Sequence, residues 1–226
     1  MKGGVMIILV ALITLPSRLL QADNNLSDID KLPPKFEQVY GKQAKKRASS
    51  WQQLLHAIRR QEPLQQLEAV NHFFNQMAFV DDLVVWGKRD YWATPFEFLG
   101  AGAGDCEDYS IAKYVSLRDL GIADDKLRLI YVKALQLNQF HMVLAYYPTP
   151  ASVPLLLDNL NPEIKPATER PDLQPIYSFN GSKLWLMKLR GQGEHVGDAS
   201  RLKHWNNLRQ RFDNQQFAQP RLQRNH

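Results

Sequence analysis

The chain has 226 residues, of which 44% are hydrophobic and 23% are charged, and its formal net charge is +5. This balance is typical of a globular protein with a sizeable core and excludes a disordered or fibrous chain. The basic residues are not interleaved with stacking aromatic residues and match no known binding module, so we predict no nucleic-acid partner. A solvated basic surface explains the charge better.

The first 22 residues have the features of a secretory signal peptide. Lys2 supplies the positive charge, an apolar run extends from Val5 to Pro16, and the segment ends on the small residue Ala22. The run is too short to remain as a membrane-spanning helix. We therefore predict cleavage after Ala22 and export of residues 23–226 to the periplasm of a bacterium, with an uncleaved anchor as the alternative.

The first half of the chain has helical patterns. A helix is predicted to open near Ser50, and a second is predicted over 64–77 after a break at Pro63. Residues 79–104 lack a clear period and are rich in aromatic residues, which indicates an ordered loop able to line a cleft. A third helix is predicted to begin after Asp105 and to end at Gly121.

The second half of the chain changes to strand patterns. Strands are predicted over 127–132, 140–147, 153–157, 176–179 and 184–189, with a hairpin at Asn180-Gly181 and a final amphipathic helix over 199–212. The sequence therefore predicts an α+β protein. A helical lobe covers about 35–122 and a sheet lobe covers about 123–190.

Cys106 is the only cysteine of the chain and stands where the third helix begins. A thiol in the first turn of a helix lies at the positive end of the helix dipole, which favours the reactive thiolate. A buried core cysteine is the alternative. It is disfavoured because three carboxylates surround the thiol and do not belong in an apolar core. We predict that Cys106 is a nucleophile.

His141 and Asp158 follow Cys106 in the order of a base and an orienting acid. If the turn between their strands is symmetric, paired positions sum to 299, which makes these two residues direct cross-strand neighbours. His141 would then accept the thiol proton and Asp158 would orient the imidazole. The backbone N–H of Cys106 is the predicted oxyanion donor, and the indole of Trp92 is a second candidate.

Asp105, Glu107 and Asp108 surround the thiol with negative charge, which opposes formation of the thiolate. A bound Ca²⁺ would offset this charge, because Ca²⁺ is held by carboxylate and carbonyl oxygens. In the alternative interpretation Asp105 is a helix cap, and the other two carboxylates are favourably placed in the first turn. The two interpretations are compatible, and both stay open from the residues alone.

Three stretches of the sequence resemble a known family. They are WATP at Trp92 to Pro95, GAGDCEDYSIAKY at Gly102 to Tyr114, and LRDLG at Leu117 to Gly121. They are similar to those of the bacterial transglutaminase-like cysteine proteinases. The resemblance implies a papain-like arrangement, with the cysteine on a helical lobe and the histidine and aspartate on a sheet. It also implies a calcium-dependent periplasmic endopeptidase with Cys106, His141 and Asp158 as its catalytic triad. The calcium ligands that the resemblance implies include Asp105 and Glu107, with Asp108 as a further candidate.

The resemblance further implies a biological setting. The substrate would be a large surface adhesin, cut near its N-terminus at a di-alanine site so that cells leave a biofilm. The controlling partner would be an inner-membrane cyclic di-GMP receptor of the LapD type. Two alternatives stay open at the level of the sequence. One is a true transglutaminase that transfers the acyl group to an amine, and the other is a non-catalytic transglutaminase-like binding module.

Overall fold

The computed structural model describes residues 29–187 and 193–222. The predicted signal peptide (1–22) and the end of the last predicted strand (188–189) lie outside the described residues. Among the helices of the described ranges, none combines the length and the apolar character that crossing a bilayer requires.

Between residues 29 and 122 the structure describes five α-helices. They are α1 (Phe36–Ile58), α2 (Pro63–Phe74), α3 (Asp82–Val85), α4 (Pro95–Ala101) and α5 (Cys106–Asp119). Helix α1 begins 14 residues before the predicted start at Ser50 and bends at Gly41, which has a φ of 81°. The early turns are buried through Phe36, Tyr40 and Ala44. The prediction missed them because spaced alanine and aromatic residues give a weaker apolar pattern than leucine and isoleucine.

The aromatic segment 79–104 was predicted to be a loop, and this was wrong. The segment contains α3, α4 and β2 (Ala103–Gly104). Strand β2 pairs in parallel with β1 (Ala78–Phe79). Helix α4 opens with a capping box between Thr94 and Glu97. All seven of its residues are buried, so the helix has no polar face and therefore no amphipathic period to detect.

The second half forms one seven-stranded antiparallel sheet in the order β6-β5-β4-β3-β7-β8-β9. The α+β fold class is therefore as predicted. The strands are β3 (Leu127–Ala134), β4 (Gln139–Tyr146), β5 (Leu155–Leu157), β6 (Lys165–Pro166), β7 (Leu173–Phe179), β8 (Lys183–Met187) and β9 (Gly193–Asp198). Because β9 belongs to it, the sheet extends beyond the predicted limit at residue 190. The terminal helix α6 (Lys203–Asp213) follows a 3₁₀ turn at Ala199–Arg201, so it begins four residues later than predicted.

The main core lies between the helices and one face of the sheet. From the sheet it takes Leu129 and Met142, and from α5 it takes Ile111 and Val115. Helix α5 also contacts the backbone of β4, because the Ser110 hydroxyl donates to the carbonyl of Met142 at 2.9 Å. This packing fixes the first turn of α5 beside β4.

Candidate active site

Cys106 is the first residue of α5 and is partly buried. Its local structure follows from the sequence, because Asp105 and Asp108 form a capping box in which the backbone N–H of Asp105 donates to Asp108 Oδ2 at 3.4 Å. The preceding backbone passes close to this box. A Cβ atom added to Gly104 would lie 2.2 Å from Asp108 Oδ2, so a larger residue would displace the carboxylate. The thiol is therefore held at a rigid helix start.

His141 and Asp158 form a buried hydrogen-bonded pair. The Nε2 atom of His141 lies 2.7 Å from Oδ1 of Asp158, and both residues are buried. Asp158 Oδ2 accepts a hydrogen bond from Arg170 Nη2 at 2.8 Å, and Oδ1 also accepts one from the backbone N–H of Leu160 at 2.9 Å. Burial by itself raises the pKa of Asp158, but these hydrogen bonds and the His141 charge outweigh it and lower the pKa to about 2. An ionised Asp158 requires the proton on Nε2 and leaves Nδ1 as the basic nitrogen.

The thiol lies beside β4, the strand that carries His141, near the point where β5 ends. The last residue pair of β4 and β5 is Leu144 with Leu157, so the edge of β4 is open at Met142. The Met142 N–H donates a hydrogen bond to the sulfur of Cys106, and the Met142 carbonyl accepts one from the Ser110 hydroxyl. Cys106 therefore lies beside the backbone that carries His141. The catalytic roles of Cys106, His141 and Asp158 remain predictions.

The predicted hairpin register was wrong by two residues, because paired positions of β4 and β5 sum to 301 rather than 299. Strand β5 begins at Leu155 and not at Val153, since Pro154 has no N–H to contribute to the ladder. His141 and Asp158 are consequently diagonal and not directly opposed. A shift of two residues preserves the face of the sheet, which explains why their side chains still meet.

The surroundings of Cys106 favour the thiol over the thiolate. Burial raises the pKa of Cys106 well above its ordinary value, and the charges of Glu107 and Asp105 raise it further. The thiol donates a hydrogen bond to Glu107 Oε2, with 2.8 Å between the sulfur and the oxygen. The Met142 N–H acts in the opposite direction. Formation of the thiolate therefore requires that the negative charge of the neighbouring carboxylates be offset.

Five carboxylates form two overlapping groups at the start of α5. Oxygen atoms of Asp82, Asp105 and Asp108 lie within 4.8 Å of one another, and so do oxygen atoms of Asp82, Asp90 and Glu107. Burial and mutual repulsion raise the pKa of Asp82 to about 7 and that of Asp105 to about 11, and they raise the pKa of Asp108 as well. The cluster is therefore unfavourable when ionised and uncompensated.

These carboxylates fit a hard divalent cation. Oδ1 of Asp82 and Oδ1 of Asp105 are buried and accept no hydrogen bond from the part of the chain that the structure describes. Carboxylate oxygens of this kind are the ligands that Ca²⁺ prefers. Each of the two groups of three carboxylates, which share Asp82, could supply ligands and negative charge to a cation. The predicted ligands Asp105, Glu107 and Asp108 are all members of the cluster, although their binding of a metal remains a prediction.

Sequence reasoning missed Asp82, Asp90 and Arg170. Asp82 begins α3, and its side chain also accepts a hydrogen bond from the backbone N–H of Tyr91. Both aspartates lie in the segment that was predicted to be an aromatic loop. Acidic residues are common in loops, so neither aspartate was identified as a candidate ligand. Arg170 follows a 3₁₀ turn at Ala167–Glu169 and belongs to no recognisable motif. Only the tertiary fold shows that it contacts Asp158.

Trp92 packs in the core. Its ring stacks on Phe179 with 5.6 Å between centroids and 16° between planes, and it also contacts His204 of α6. The neighbouring N–H of Ala93 donates to Asp108 Oδ1 at 2.7 Å. Trp92 therefore supports the segment that carries the acidic cluster. The oxyanion role of its indole remains a prediction.

A thiol at the start of a helix, beside a histidine and aspartate pair on an antiparallel sheet, defines the transglutaminase-like class of thiol enzymes. The chain belongs to the bacterial transglutaminase-like cysteine proteinases (BTLCP), whose family model matches residues 30–174. The protein is thus a cysteine proteinase, and the family resemblance of its sequence motifs is confirmed. None of the curated proteins compared with the chain is significantly similar to it.

Solved structures of LapG from Legionella pneumophila share the fold. The EGTA-treated LapG structure has a TM-score of 0.72 and 42% identity, and the match covers 83% of this chain and 97% of the LapG chain. A second LapG structure has a TM-score of 0.71 with the same identity and coverage. Calcium-bound LapG has a TM-score of 0.69 and 44% identity, covering 78% of this chain and 95% of that one.

Proposed function

We propose that this protein is a calcium-dependent endopeptidase of the LapG type, with Cys106 as nucleophile, His141 as base and Asp158 as the residue that orients the base. The observation that carries the proposal is that Cys106 lies at the open edge of β4, the strand that carries His141, and that His141 is hydrogen-bonded to Asp158. Acyl transfer requires these three residue types in this order of contact.

The chemistry follows from the positions of the protons. Nδ1 of His141 takes the proton of Cys106, and the thiolate attacks the carbonyl carbon of the scissile peptide bond. The backbone N–H of Cys106 stabilises the negative oxygen that forms, with Trp92 as the second candidate donor. The imidazolium then protonates the leaving amine. Water, deprotonated by the same histidine, hydrolyses the thioester and restores the thiol.

Ca²⁺ is proposed to bind Asp82, Asp105, Glu107 and Asp108, with Asp90 as a further ligand. The unpartnered buried oxygens support this assignment, and so does the calcium-bound structure of the related LapG. Glu107 links the metal site to the thiol, since its carboxylate accepts the thiol hydrogen bond. The bound cation would neutralise the charges that raise the pKa of Cys106 and thereby favour the thiolate.

The proposed substrate is a large surface adhesin, cut near its N-terminus at a di-alanine site so that cells are released from a biofilm. The proposed regulator is an inner-membrane receptor of the LapD type, which binds cyclic di-GMP in the cytoplasm and sequesters the protease in the periplasm. Family membership and 42% identity to LapG over most of the chain support both assignments. Export through the signal peptide at residues 1–22 is part of the same proposal.

The proposal is tested by incubating an N-terminal adhesin fragment that contains a di-alanine site with the wild type and with Cys106→Ala, in Ca²⁺ and in EGTA. We expect cleavage only by the wild type in Ca²⁺. Cleavage in EGTA would contradict the calcium requirement, and cleavage by Cys106→Ala would contradict the nucleophile. Incorporation of a labelled amine without cleavage would instead identify a transglutaminase. If iodoacetamide labelled Cys106 no faster than a model thiol, the protein would be a binding module.

A further inference from the structure

Two of the carboxylates that are proposed to bind Ca²⁺ lie on one short loop. The loop 82–91 contains the four-residue helix α3 and carries Asp82 at its start and Asp90 near its end. It closes on itself, because the Asp82 carboxylate accepts a hydrogen bond from the N–H of Tyr91 and the Asp82 carbonyl accepts one from that of Trp86 at 2.7 Å. The other proposed ligands stand at the start of α5 and are Asp105, Glu107 and Asp108. The position of the loop relative to α5 therefore sets the geometry of the cation site.

The C-terminal segment 203–222 holds this loop from outside. Two backbone hydrogen bonds reach the loop from a distant part of the described chain. The N–H groups of Arg221 and Leu222 donate them to the carbonyl of Val85, at 2.7 Å and 3.4 Å. The Arg221 guanidinium also packs on Gly87, since a Cβ atom added to this glycine would lie 2.1 Å from the Arg221 Cζ atom. The end of the segment is therefore joined to the loop through both backbone and side chain.

Helix α6, the first part of the same segment, contacts the other end of the loop. Nε2 of His204 lies 3.6 Å from Oδ2 of Asp90, and Nη1 of Arg211 donates to the hydroxyl of Tyr91 at 2.5 Å. The family model ends its match at residue 174, before this segment begins. The loop that carries two of the proposed ligands is thus supported by a part of the chain outside the family match.

The segment is itself fixed to two helices before it reaches the loop. The N–H of Ala218 donates to Oε1 of Glu97 in α4 at 2.7 Å, and the Ala218 carbonyl accepts from the hydroxyl of Tyr40 in α1 at 2.6 Å. The ring of Phe217 packs edge-on against that of Phe96, with 5.8 Å between centroids. The C-terminal segment therefore ties the loop to α1 and α4.

We propose that the C-terminal segment 203–222 is a positioning element of the proposed calcium site, which raises the affinity for Ca²⁺ by holding the loop 82–91 beside the start of α5. The inference rests on the calcium site of the proposed function and adds the element that sets its geometry. Metal ligands must lie within about 0.2 Å of their preferred distances, and a single helical turn is not stable by itself. Because linkage is reciprocal, bound Ca²⁺ also stabilises the contacts of the segment with the loop.

The first test is a calorimetric titration of the wild type, Arg221→Pro and Gln219→Pro with Ca²⁺. Proline at position 221 removes the N–H that donates to Val85, whereas the N–H of Gln219 has no acceptor within the described ranges. Neither residue has a positive φ, which proline could not adopt. We expect Arg221→Pro to bind Ca²⁺ about fivefold more weakly or worse, and Gln219→Pro to bind it as the wild type does.

The second test needs no variant. Ca²⁺ should slow hydrogen exchange of the Arg221 and Leu222 amides in the wild type about fivefold, and it should leave the amide of Ser152 in the β4–β5 turn unchanged. Equal Ca²⁺ affinity in the wild type and Arg221→Pro would overturn the inference, and so would exchange of the two amides that Ca²⁺ does not slow. Absence of Ca²⁺ binding by the wild type would overturn the calcium site and this inference with it, while the cleavage assay tests the thiol chemistry separately.

Discussion

Arg170 donates a hydrogen bond from Nη2 to Oδ2 of Asp158 at 2.8 Å, while His141 contacts the other oxygen of the same carboxylate. Arg170 is itself held by Asp172, which accepts from its Nε and Nη2 atoms at 2.9 Å and 2.8 Å. Arg170 therefore holds the Asp158 carboxylate through Oδ2, while Oδ1 contacts His141. A group that orients an imidazole must be ionised and immobile, and Arg170 supports both properties.

Replacement of this arginine should impair the proposed reaction without weakening substrate binding. In Arg170→Met we expect kcat to fall about tenfold with little change in KM, because Asp158 loses one of its donors and orients His141 less well. Loss of the donor also raises the pKa of Asp158, so the acid limb of the kcat/KM profile should move to higher pH.

The control is Asp172→Asn, which touches Arg170 but not Asp158. Its effect should be smaller than that of Arg170→Met. Equal losses in both variants, or an unchanged acid limb in Arg170→Met, would show that Arg170 serves only the local fold.

The acidic cluster predicts that a residue outside the cysteine motif binds calcium. Asp82→Asn should weaken Ca²⁺ binding about tenfold or more, because Asp82 belongs to both carboxylate groups of the cluster. A ligand that binds the folded state raises the melting temperature, so the increase caused by Ca²⁺ should be smaller in Asp82→Asn than in the wild type. Calorimetric titration with Ca²⁺ measures the affinity directly.

Asp125→Asn is the matched control, since it removes the same charge from an exposed position next to β3. It should keep the full response to Ca²⁺. An Asp82→Asn protein with wild-type affinity would show that the metal site does not include Asp82.

The local features of the site could be predicted from the sequence, whereas the features that depend on tertiary contacts could not. The start of α5 at Cys106 follows from the capping residue Asp105 and the glycines before it. The predicted contact of His141 with Asp158 depends only on the two side chains lying on the same face of the sheet. A register error of two residues keeps that face, so the contact was predicted correctly. Asp82 and Arg170 are brought to the site by the packing of distant segments, and no periodicity or spacing encodes that.

Lys113 gives a prediction about pH and stability. Its side chain is fully buried on α5, and its Nζ atom has no hydrogen-bond partner within residues 29–187 and 193–222. Burial lowers its pKa to about 7 despite the nearby charge of Asp158. An unfolded lysine titrates near pH 10.4, so between about pH 7 and 10 the unfolded chain binds more protons than the folded one. The free energy of unfolding therefore rises with pH through this range, as the destabilising effect of the buried Lys113 decreases.

Lys113→Met should accordingly stabilise the protein at pH 7, by on the order of 2 kcal/mol, and the gain should shrink as pH approaches 10. The measurement is the free energy of unfolding in urea at several pH values. Lys46→Met, at an exposed position of α1, should show a small difference that does not change with pH. A gain for Lys113→Met that was constant with pH would contradict the burial of an ionisable amine.

Arg211 anchors helix α6 to the helical part through a buried carboxylate. Its Nη1 atom contacts Oε2 of Glu97, and its Nη2 atom donates to the carbonyl of Trp92 at 2.5 Å. Glu97 is fully buried and also accepts hydrogen bonds from the hydroxyl of Tyr91 at 2.6 Å and from the backbone N–H of Ala218 at 2.7 Å. Removal of the arginine would leave a buried carboxylate without its cation.

Arg211→Met should therefore lower the free energy of unfolding by about 3 kcal/mol, and thermal unfolding should show a decrease of roughly 10 °C in melting temperature. Arg209→Met is the control on the same helix. Among the described residues Arg209 donates only to the carbonyl of Gly181, at 3.1 Å, so its loss should cost less than about 1 kcal/mol. The double variant Glu97→Gln with Arg211→Met should lose less free energy of unfolding than the two single variants lose together. The reason is that the double variant contains no uncompensated buried charge. Strict additivity would show that the two side chains stabilise the protein independently.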